Sequence, residues 1–180
     1  MSLYRHAPAG VHVINLDERG PLGLKYYPAP RPNPTGVYPG YQPDCGGRGS
    51  LWVFGAFEPA TGRALTQTAS RRTRAELAAF MDTLVVKWPE GELTLIMDNL
   101  SVHKTLEVRL CALAHERVSF LLQPTYGPWL NLIEPWWKIL RSLSTQGRGF
   151  TDLATMSQTI AAATDYWNAH AHPFRWRKAA

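Results

Sequence analysis

The most constraining feature of the sequence is a strand–helix–strand pattern between residues 93 and 122. Residues 93–97 are an apolar run of strand length, residues 102–114 follow as a helix, and residues 117–122 form a second apolar run. Two strands joined through a helix pair in parallel, and the crossover between them is right-handed. The pattern therefore predicts a parallel βαβ unit and places the chain in the α/β class.

Further elements are predicted on both sides of this unit. Apolar alternation predicts three more strands, of which the last two form a β-hairpin: residues 11–17, 51–57 and 63–68. Apolar residues at helical spacing predict three more helices: residues 73–88, 131–144 and 151–168. Together these elements predict a three-layer α/β fold with a mixed central sheet of about five strands flanked by helices.

Composition narrows the class of protein. A chain of 180 residues with 45% hydrophobic composition can fold as one domain without a disulfide or metal staple. Cys45 and Cys111 belong to no CxxC or CxxH pattern, which predicts a reducing, cytoplasmic setting. No apolar run approaches the length of a membrane span, and residues 1–6 have no apolar h-region, so we expect no export. The net charge of +5 favours polyanionic partners, nucleic acid first.

One segment is unusual in composition. Six prolines lie between residues 28 and 43, and proline can neither continue a helix nor donate in a sheet. The segment predicts a long loop insertion at about 28–49. We therefore expect a single domain over residues 1–180, with this insertion and a basic C-terminal tail at about 170–180.

Three carboxylates are predicted to converge. Asp17 follows the first strand, Asp98 follows the buried strand of the βαβ unit, and Glu134 lies in the first turn of the next helix. Reactive groups in open α/β sheets gather at the carboxyl ends of strands. Converging carboxylates repel one another unless a cation lies between them, and oxygen-only ligands suit Mg²⁺ or Mn²⁺. The residues thus predict a two-ion site able to act on a phosphodiester.

Each acid also has a purely structural interpretation. Asp17 can be a turn residue, and Asp98 with Asn99 can form an Asx turn between strand and helix. Asn131 followed by Glu134 matches a helix-capping pattern. Taken one at a time, these alternatives remain open.

Two stretches of sequence around these acids carry a family resemblance. Residues 95–104 read LIMDNLSVHK, and residues 124–137 read PTYGPWLNLIEPWW. This pair of motifs resembles the DDE endonuclease domain of transposases, in the bacterial insertion-sequence branch of the mariner superfamily. Three further features resemble the same group: LDE at 16–18, TG at 61–62, and WN at 167–168 followed by HPFxW at 172–176.

The resemblance implies a fold, a reaction and a set of partners. It implies an RNase H-like fold in which Asp17, Asp98 and Glu134 bind two Mg²⁺ (or Mn²⁺) ions. It further implies cleavage of DNA at transposon ends, followed by transfer of the freed 3′-OH into target DNA at TA dinucleotides. The implied partners are the transposon ends, the target DNA and a second copy of the chain in an active homodimer.

Other residues are candidates for supporting roles. Those expected to contact DNA or to position the carboxylates are Asn99, His103, Asn131, Trp129 and Trp136. Those expected to contact the DNA backbone are Arg71, Arg72, Arg74, Arg175, Arg177 and Lys178. Adjacent aromatic residues cannot share one helix face, so Trp137 or its neighbour Leu140 is expected to pack in the core.

One feature of the family is missing. Its full-length members carry an N-terminal helix-turn-helix region, and nothing before Val11 can supply a recognition helix. We expect either a split gene, whose other reading frame encodes a helix-turn-helix subunit, or a chain that is a fragment of a longer protein. The alternatives are a stand-alone RNase H-like nuclease or resolvase, and an inactive remnant that binds DNA.

Overall fold

The structure is a computed structural model and describes residues 2–5, 7–24, 48–98, 113–123 and 131–174. Its helices are α1 (Ser2–Arg5), α2 (Arg74–Lys87), α3 (Ile133–Ser144) and α4 (Leu153–Ala169). Its strands are β1 (Val11–Gly23), β2 (Ser50–Glu58), β3 (Arg63–Ala69), β4 (Glu92–Met97) and β5 (Val118–Leu122). Most of the predicted Pro-rich loop, and the predicted helix at 102–114 apart from its last two residues, lie outside the described residues. In the part of the chain that the structure describes, no helix is long and apolar enough to cross a bilayer.

The five strands form one mixed sheet in the order β3-β2-β1-β4-β5. β2 pairs antiparallel with both β1 and β3, whereas β4 pairs parallel with both β1 and β5. The predicted hairpin and the predicted parallel pair are therefore both confirmed. So is the mixed sheet of five strands.

Helices cover both faces of the sheet. α2 packs its apolar stripe on one face, where it joins inward-facing residues of β1, β2 and β4 in a first core cluster. α3 and α4 cover the other face and form a second cluster with alternate residues of β2 and with Ala64 of β3. This confirms the three-layer arrangement. Residues with odd numbers near Asp17 lie on the α3 face because side chains alternate along a strand.

The first strand is longer than predicted. The sequence from Asp17 to Gly20 was expected to be a turn, but β1 continues to Gly23 and pairs with β2 as far as Ser50. The apolar run of β2 provides an antiparallel partner along this length, and pairing outweighs local turn preference. A register irregularity between Arg19 and Leu22 accommodates the intervening glycine and proline. Asp17 therefore lies within a strand rather than at its end.

The start of α3 also differs from the prediction. Asn131 was expected to be the N-cap, but the helix begins at Ile133 with Leu132 at the cap position and no side-chain cap bond. The buried amide of Asn131 instead joins two elements. Its Nδ2 donates to the carbonyl of Leu16 at 3.1 Å, and its Oδ1 accepts from the Ile133 N–H at 3.3 Å.

α4 is fixed to the hairpin by residues that belong to the family motifs. The side chain of Asn168 accepts from the Ala64 N–H at 2.9 Å and donates to the Ala64 carbonyl at 2.8 Å. The indole of Trp167 donates to the Gly62 carbonyl at 2.7 Å. Gly62 has φ +80°, and a Cβ there would lie 2.1 Å from the His172 carbonyl oxygen. These motif positions therefore hold the second helical layer on the sheet.

Candidate active site

Asp17 is held at both carboxylate oxygens. Its Oδ2 accepts from the Trp137 indole N–H at 2.9 Å, and its Oδ1 accepts from the Glu18 backbone N–H at 2.9 Å. Trp137 belongs to α3, so the bond joins the central strand to the helix that covers it. Two donors leave the carboxylate little rotational freedom.

A glycine in β2 makes this bond possible. Gly55 is the cross-strand partner of Asp17, and a Cβ at position 55 would lie 2.3 Å from the Trp137 ring. The ring therefore occupies the space that any other side chain would fill. Sequence reasoning missed both Gly55 and Trp137 as site residues, although a lone glycine inside the apolar run of β2 is a known signal of close approach.

Asp98 is placed beside Asp17 by strand register. The parallel pairing of β1 and β4 reaches Asn15 opposite Ile96, so continuing both chains by two residues brings Asp17 next to Asp98. The same alternation places the two carboxylates on one face of the sheet. The negative charge of Asp98 acts on Asp17 and raises its pKa, as expected for neighbouring carboxylates.

Burial shifts the acidity of Asp17. Loss of solvation raises the pKa of Asp17 from 3.8 to about 6, and the charges of Glu18 and Asp98 add to that rise. The two N–H donors act in the opposite direction and lower the pKa. Desolvation is the largest of these causes. Asp17 thus takes up a proton at a higher pH than an exposed aspartate does.

Glu134 faces Asp17 across an open cleft. Both residues line one cavity of about 370 Å³, together with the 18–22 segment of β1 and Trp137. Glu134 is exposed and lies in the first turn of α3, where an acidic residue suits the helix dipole. Asp98 is not among the residues lining this cleft.

Two hydrogen bonds fix the start of α3 to the strand that carries Asp17. One joins the Asn131 amide to the Leu16 carbonyl, the residue before Asp17. The other runs from the Leu132 N–H to the buried side chain of Asn15 at 3.2 Å. The turn that bears Glu134 therefore has a set position relative to Asp17.

The carboxylates are brought together in pairs. Asp17 neighbours Asp98 across the β1–β4 pair and shares a cleft with Glu134, but within the described ranges no group of three or more His, Cys, Asp or Glu residues is arranged to hold a metal ion. The donor chemistry still suits a hard divalent cation, because all the donor atoms are oxygens. Burial disfavours the negative charge of Asp17. Such a cation stabilises the ionised form of a buried carboxylate.

The expectation that Trp136 contacts DNA is wrong. Trp136 is 0% exposed, stacks on Phe57 with ring centroids 6.2 Å apart, and packs at a tilt on Trp167. Its place is in the second core cluster. The expectation that Trp137 or Leu140 packs in the core is confirmed for both residues. The reason is that α3 is covered by α4, so two adjacent faces of α3 are buried.

The arginines before α2 lie at the same end of the sheet as the end of β1. Ala69, the last residue of β3, pairs with Trp52, next to the Leu51–Leu22 pair of β2 and β1. Beyond it, the Arg72 guanidinium lies 4.9 Å from the centre of the Trp52 ring. Arg71 is exposed, and Arg74 is the first residue of α2.

Other predicted site residues lie outside the described residues: Asn99, His103, Trp129, Arg175, Arg177 and Lys178.

The fold is RNase H-like. It resembles a chain of the simian T-cell lymphotropic virus intasome, solved by cryo-electron microscopy in complex with PP2A regulatory subunit B56 gamma, with a TM-score of 0.60 and 12% sequence identity over 87% of this chain and 47% of that one. The family that matches the sequence is described as DDE superfamily endonuclease, over residues 12–157. The chain belongs to this endonuclease family.

A curated relative points in the same direction. The chain is 25% identical over 96 residues to the uncharacterized 39 kDa protein of insertion element IS630 from Shigella sonnei. The alignment covers 53% of this chain and 28% of that protein. The chain thus spans a minor part of the relative that it matches. The expected resemblance to an insertion-sequence transposase domain is confirmed.

Proposed function

We propose that this domain cleaves DNA at the ends of an insertion element and joins the freed 3′-OH to target DNA. One observation carries the proposal: within a DDE-family fold, Asp17 neighbours Asp98 by register and faces Glu134 across one cleft. By family resemblance the target is a TA dinucleotide. The setting is the nucleoid of a bacterial cytoplasm.

The three carboxylates are the proposed ligands of two Mg²⁺ or Mn²⁺ ions. When bound, such ions activate the attacking oxygen and stabilise the leaving oxygen of a phosphodiester. The side chains of the protein supply the frame for this chemistry. Trp137 orients one oxygen of Asp17, the Glu18 N–H orients the other, and Asn131 fixes the turn that carries Glu134.

The ionisation of Asp17 limits the reaction at low pH. A carboxylate that binds a cation must lose its proton, and burial raises the pKa of Asp17 to about 6. Protons and the cation should therefore compete for Asp17, so that the ion concentration needed for activity rises as the pH falls through about 6. The hydrogen bond from Trp137 favours the ionised form of Asp17 and lowers its pKa.

DNA contacts are proposed at the sheet end that bears the carboxylates. Arg71, Arg72 and Arg74 would bind backbone phosphates there, and the basic tail would add Arg175, Arg177 and Lys178. Recognition of the element ends falls to a helix-turn-helix region carried elsewhere in the protein or by a separate subunit. The active complex is proposed to be a homodimer.

The test is nicking of duplexes that carry the inverted repeats flanking this gene, with and without Mn²⁺. We expect ion-dependent nicking by the wild-type domain paired with its end-binding partner. Asp98→Asn should abolish nicking while leaving DNA affinity nearly unchanged. Mn²⁺ should raise the melting temperature of the wild type, and Asp98→Asn should shrink that rise.

Two outcomes separate the alternatives. Failure of the wild-type pair to nick at any ion concentration favours an inactive DNA-binding remnant. Nicking without any joining of 3′ ends to target DNA favours a stand-alone nuclease. Equal activity in wild type and Asp98→Asn refutes the carboxylate assignment.

A further inference from the structure

A second cavity lies beside the carboxylate cleft. Its volume is about 380 Å³, at the lower end of the range of about 300–1,000 Å³ for small-molecule pockets. The two cavities adjoin, because four residues line both: Arg19, Pro21, Leu22 and Trp137. A strand bound in the cleft would therefore pass next to the second cavity.

The deep part of the second cavity is apolar. The residues that line it there all belong to the core cluster between the sheet, α3 and α4: Val53, Leu140, Phe150, Met156 and Ile160. Such a surface binds a flat apolar group, and it has little to offer a hydrated ion.

The same cavity is lined by three arginines: Arg19, Arg141 and Arg148. Arg141 and Arg148 are exposed, and Arg19 is half-buried. No Asp or Glu is among the described lining residues, and none of the three arginines forms an ion pair with a described residue. Arg19 also lines the cleft that holds Asp17, Glu18 and Glu134, whereas Arg141 and Arg148 line only the second cavity, where no described acidic residue opposes them. Guanidinium groups placed in this way favour an anion, and phosphate above all.

A turn after α3 brings two of these arginines to one cavity. The backbone N–H groups of Thr145 and Gln146 both donate to the Arg141 carbonyl, at 3.0 and 2.8 Å. Gly147 then adopts φ +70°, which reverses the chain direction. Arg148 consequently lines the same cavity as Arg141 although it lies beyond the helix.

We propose that this cavity receives one unpaired nucleotide of the DNA strand held in the carboxylate cleft. The base would lie against the apolar lining and its phosphate at the arginines. An apolar ligand would leave Arg141 and Arg148 without an anion, and a bare anion would make no contact with the apolar lining. A nucleotide supplies both an anionic and an apolar group. The inference rests on the proposed DNA substrate.

The test uses the full chain, labelled with ¹⁵N and titrated with dAMP, deoxyadenosine or inorganic phosphate without divalent ions. We expect dAMP to shift the backbone amide signals of residues 144–150 and to bind at least tenfold more tightly than either fragment. Equal affinity for dAMP and inorganic phosphate overturns the nucleotide assignment, since it shows a phosphate site alone. The absence of any shift at 144–150 also overturns it.

A charge-reversal pair provides the second measurement. Arg141→Glu with Arg148→Glu changes two exposed side chains and should weaken dAMP binding at least tenfold. The matched control, Arg63→Glu with Lys87→Glu, makes the same charge change at two residues that line neither cavity and should leave dAMP affinity unchanged. An unaltered dAMP affinity in the arginine pair overturns the inference.

Failure of this inference and failure of the proposed function would give different experimental results. Wild-type protein that binds dAMP at 144–150 but never nicks DNA contradicts the proposed function alone. Protein that nicks DNA but shows no dAMP response contradicts the nucleotide pocket alone. Asp98→Asn should lose nicking and keep its dAMP affinity.

Discussion

Trp137 donates its indole N–H to Asp17 across 2.9 Å, and this bond joins α3 to the central strand at the candidate site. The ring reaches Asp17 by lying over Gly55, the residue opposite Asp17 on β2. The aspartate, the tryptophan and the glycine therefore form one unit. Each can be tested by a single substitution.

Gly55→Ala should destabilise the fold. The new Cβ would meet the rigid Trp137 ring at 2.3 Å, so the ring or the strand must move, at a cost of about 1–3 kcal/mol. Urea unfolding measures the loss. Gly23→Ala is the matched control in β1, because a Cβ there meets nothing within 4 Å. Equal stability of the two variants would contradict the close approach.

Trp137→Phe should shift the acidity of Asp17. Removing the indole donor withdraws a bond that favours the ionised carboxylate, so the pKa of Asp17 should rise. The acid limb of the nicking activity should then move to higher pH. Trp136→Phe is the control, since the Trp136 indole nitrogen is buried without a hydrogen-bond partner in the described structure. A pH profile that moves equally in both variants would exclude a specific role for the Trp137 donor.

Asp17→Asn should stabilise the domain at neutral pH. Because the folded-state pKa of Asp17 is raised from 3.8 to about 6, the folded chain binds this proton more tightly than the unfolded chain. The stability that this proton binding contributes is fully present below pH 3.8 and is lost as the pH rises through about 6. The asparagine variant should thus exceed wild type by up to about 3 kcal/mol at pH 8, and the two should converge near pH 4.

Melting temperatures between pH 4 and 8 provide the measurement. Asp152→Asn is a control of opposite sign, because hydrogen bonds from Thr155 lower the pKa of Asp152 at the start of α4. Its carboxylate contributes stability above the unfolded pKa, and that contribution is lost as the pH falls. A pH-independent gap between wild type and Asp17→Asn would contradict the burial of a titrating carboxylate.

Replacing Arg71, Arg72 and Arg74 by alanine should flatten the salt dependence of DNA binding. Each lost phosphate contact removes about one unit from the slope of log affinity against log salt, so the change is up to about three. Lys87→Ala, at the far end of α2, should leave the slope unchanged. An unaltered slope in the triple variant would show that these arginines do not contact DNA.

Much of the fold is predictable because apolar spacing dictates it. The strands β2, β4 and β5 and the helices α2 and α4 lie close to the positions that their periodicity predicts. The predicted end of β1 is wrong. The residues after Asp17 favour a turn locally, but they pair with β2, and this partner cannot be recognised from the sequence of β1 alone. Asn131 was misassigned for the same reason, since its amide binds the distant Leu16.

The acidic residues of the candidate site can be proposed from the sequence, but the residues that position Asp17 cannot. Asp98 follows a predicted strand and Glu134 lies at the start of a predicted helix, so both could be proposed from their positions in the sequence. The choice between Trp136 and Trp137 depends on which indole faces Asp17, and that is set by how α3 packs on β2. Gly55 becomes meaningful only once Trp137 is seen to lie over it.

Asp17 and Glu134 differ in how firmly the chain holds them. Asp17 accepts hydrogen bonds from an indole and a backbone amide in the middle of a strand, whereas Glu134 is an exposed residue in the first turn of a helix. During assembly with DNA, adjustment of the site should therefore come from Glu134, with the central strand serving as its fixed reference.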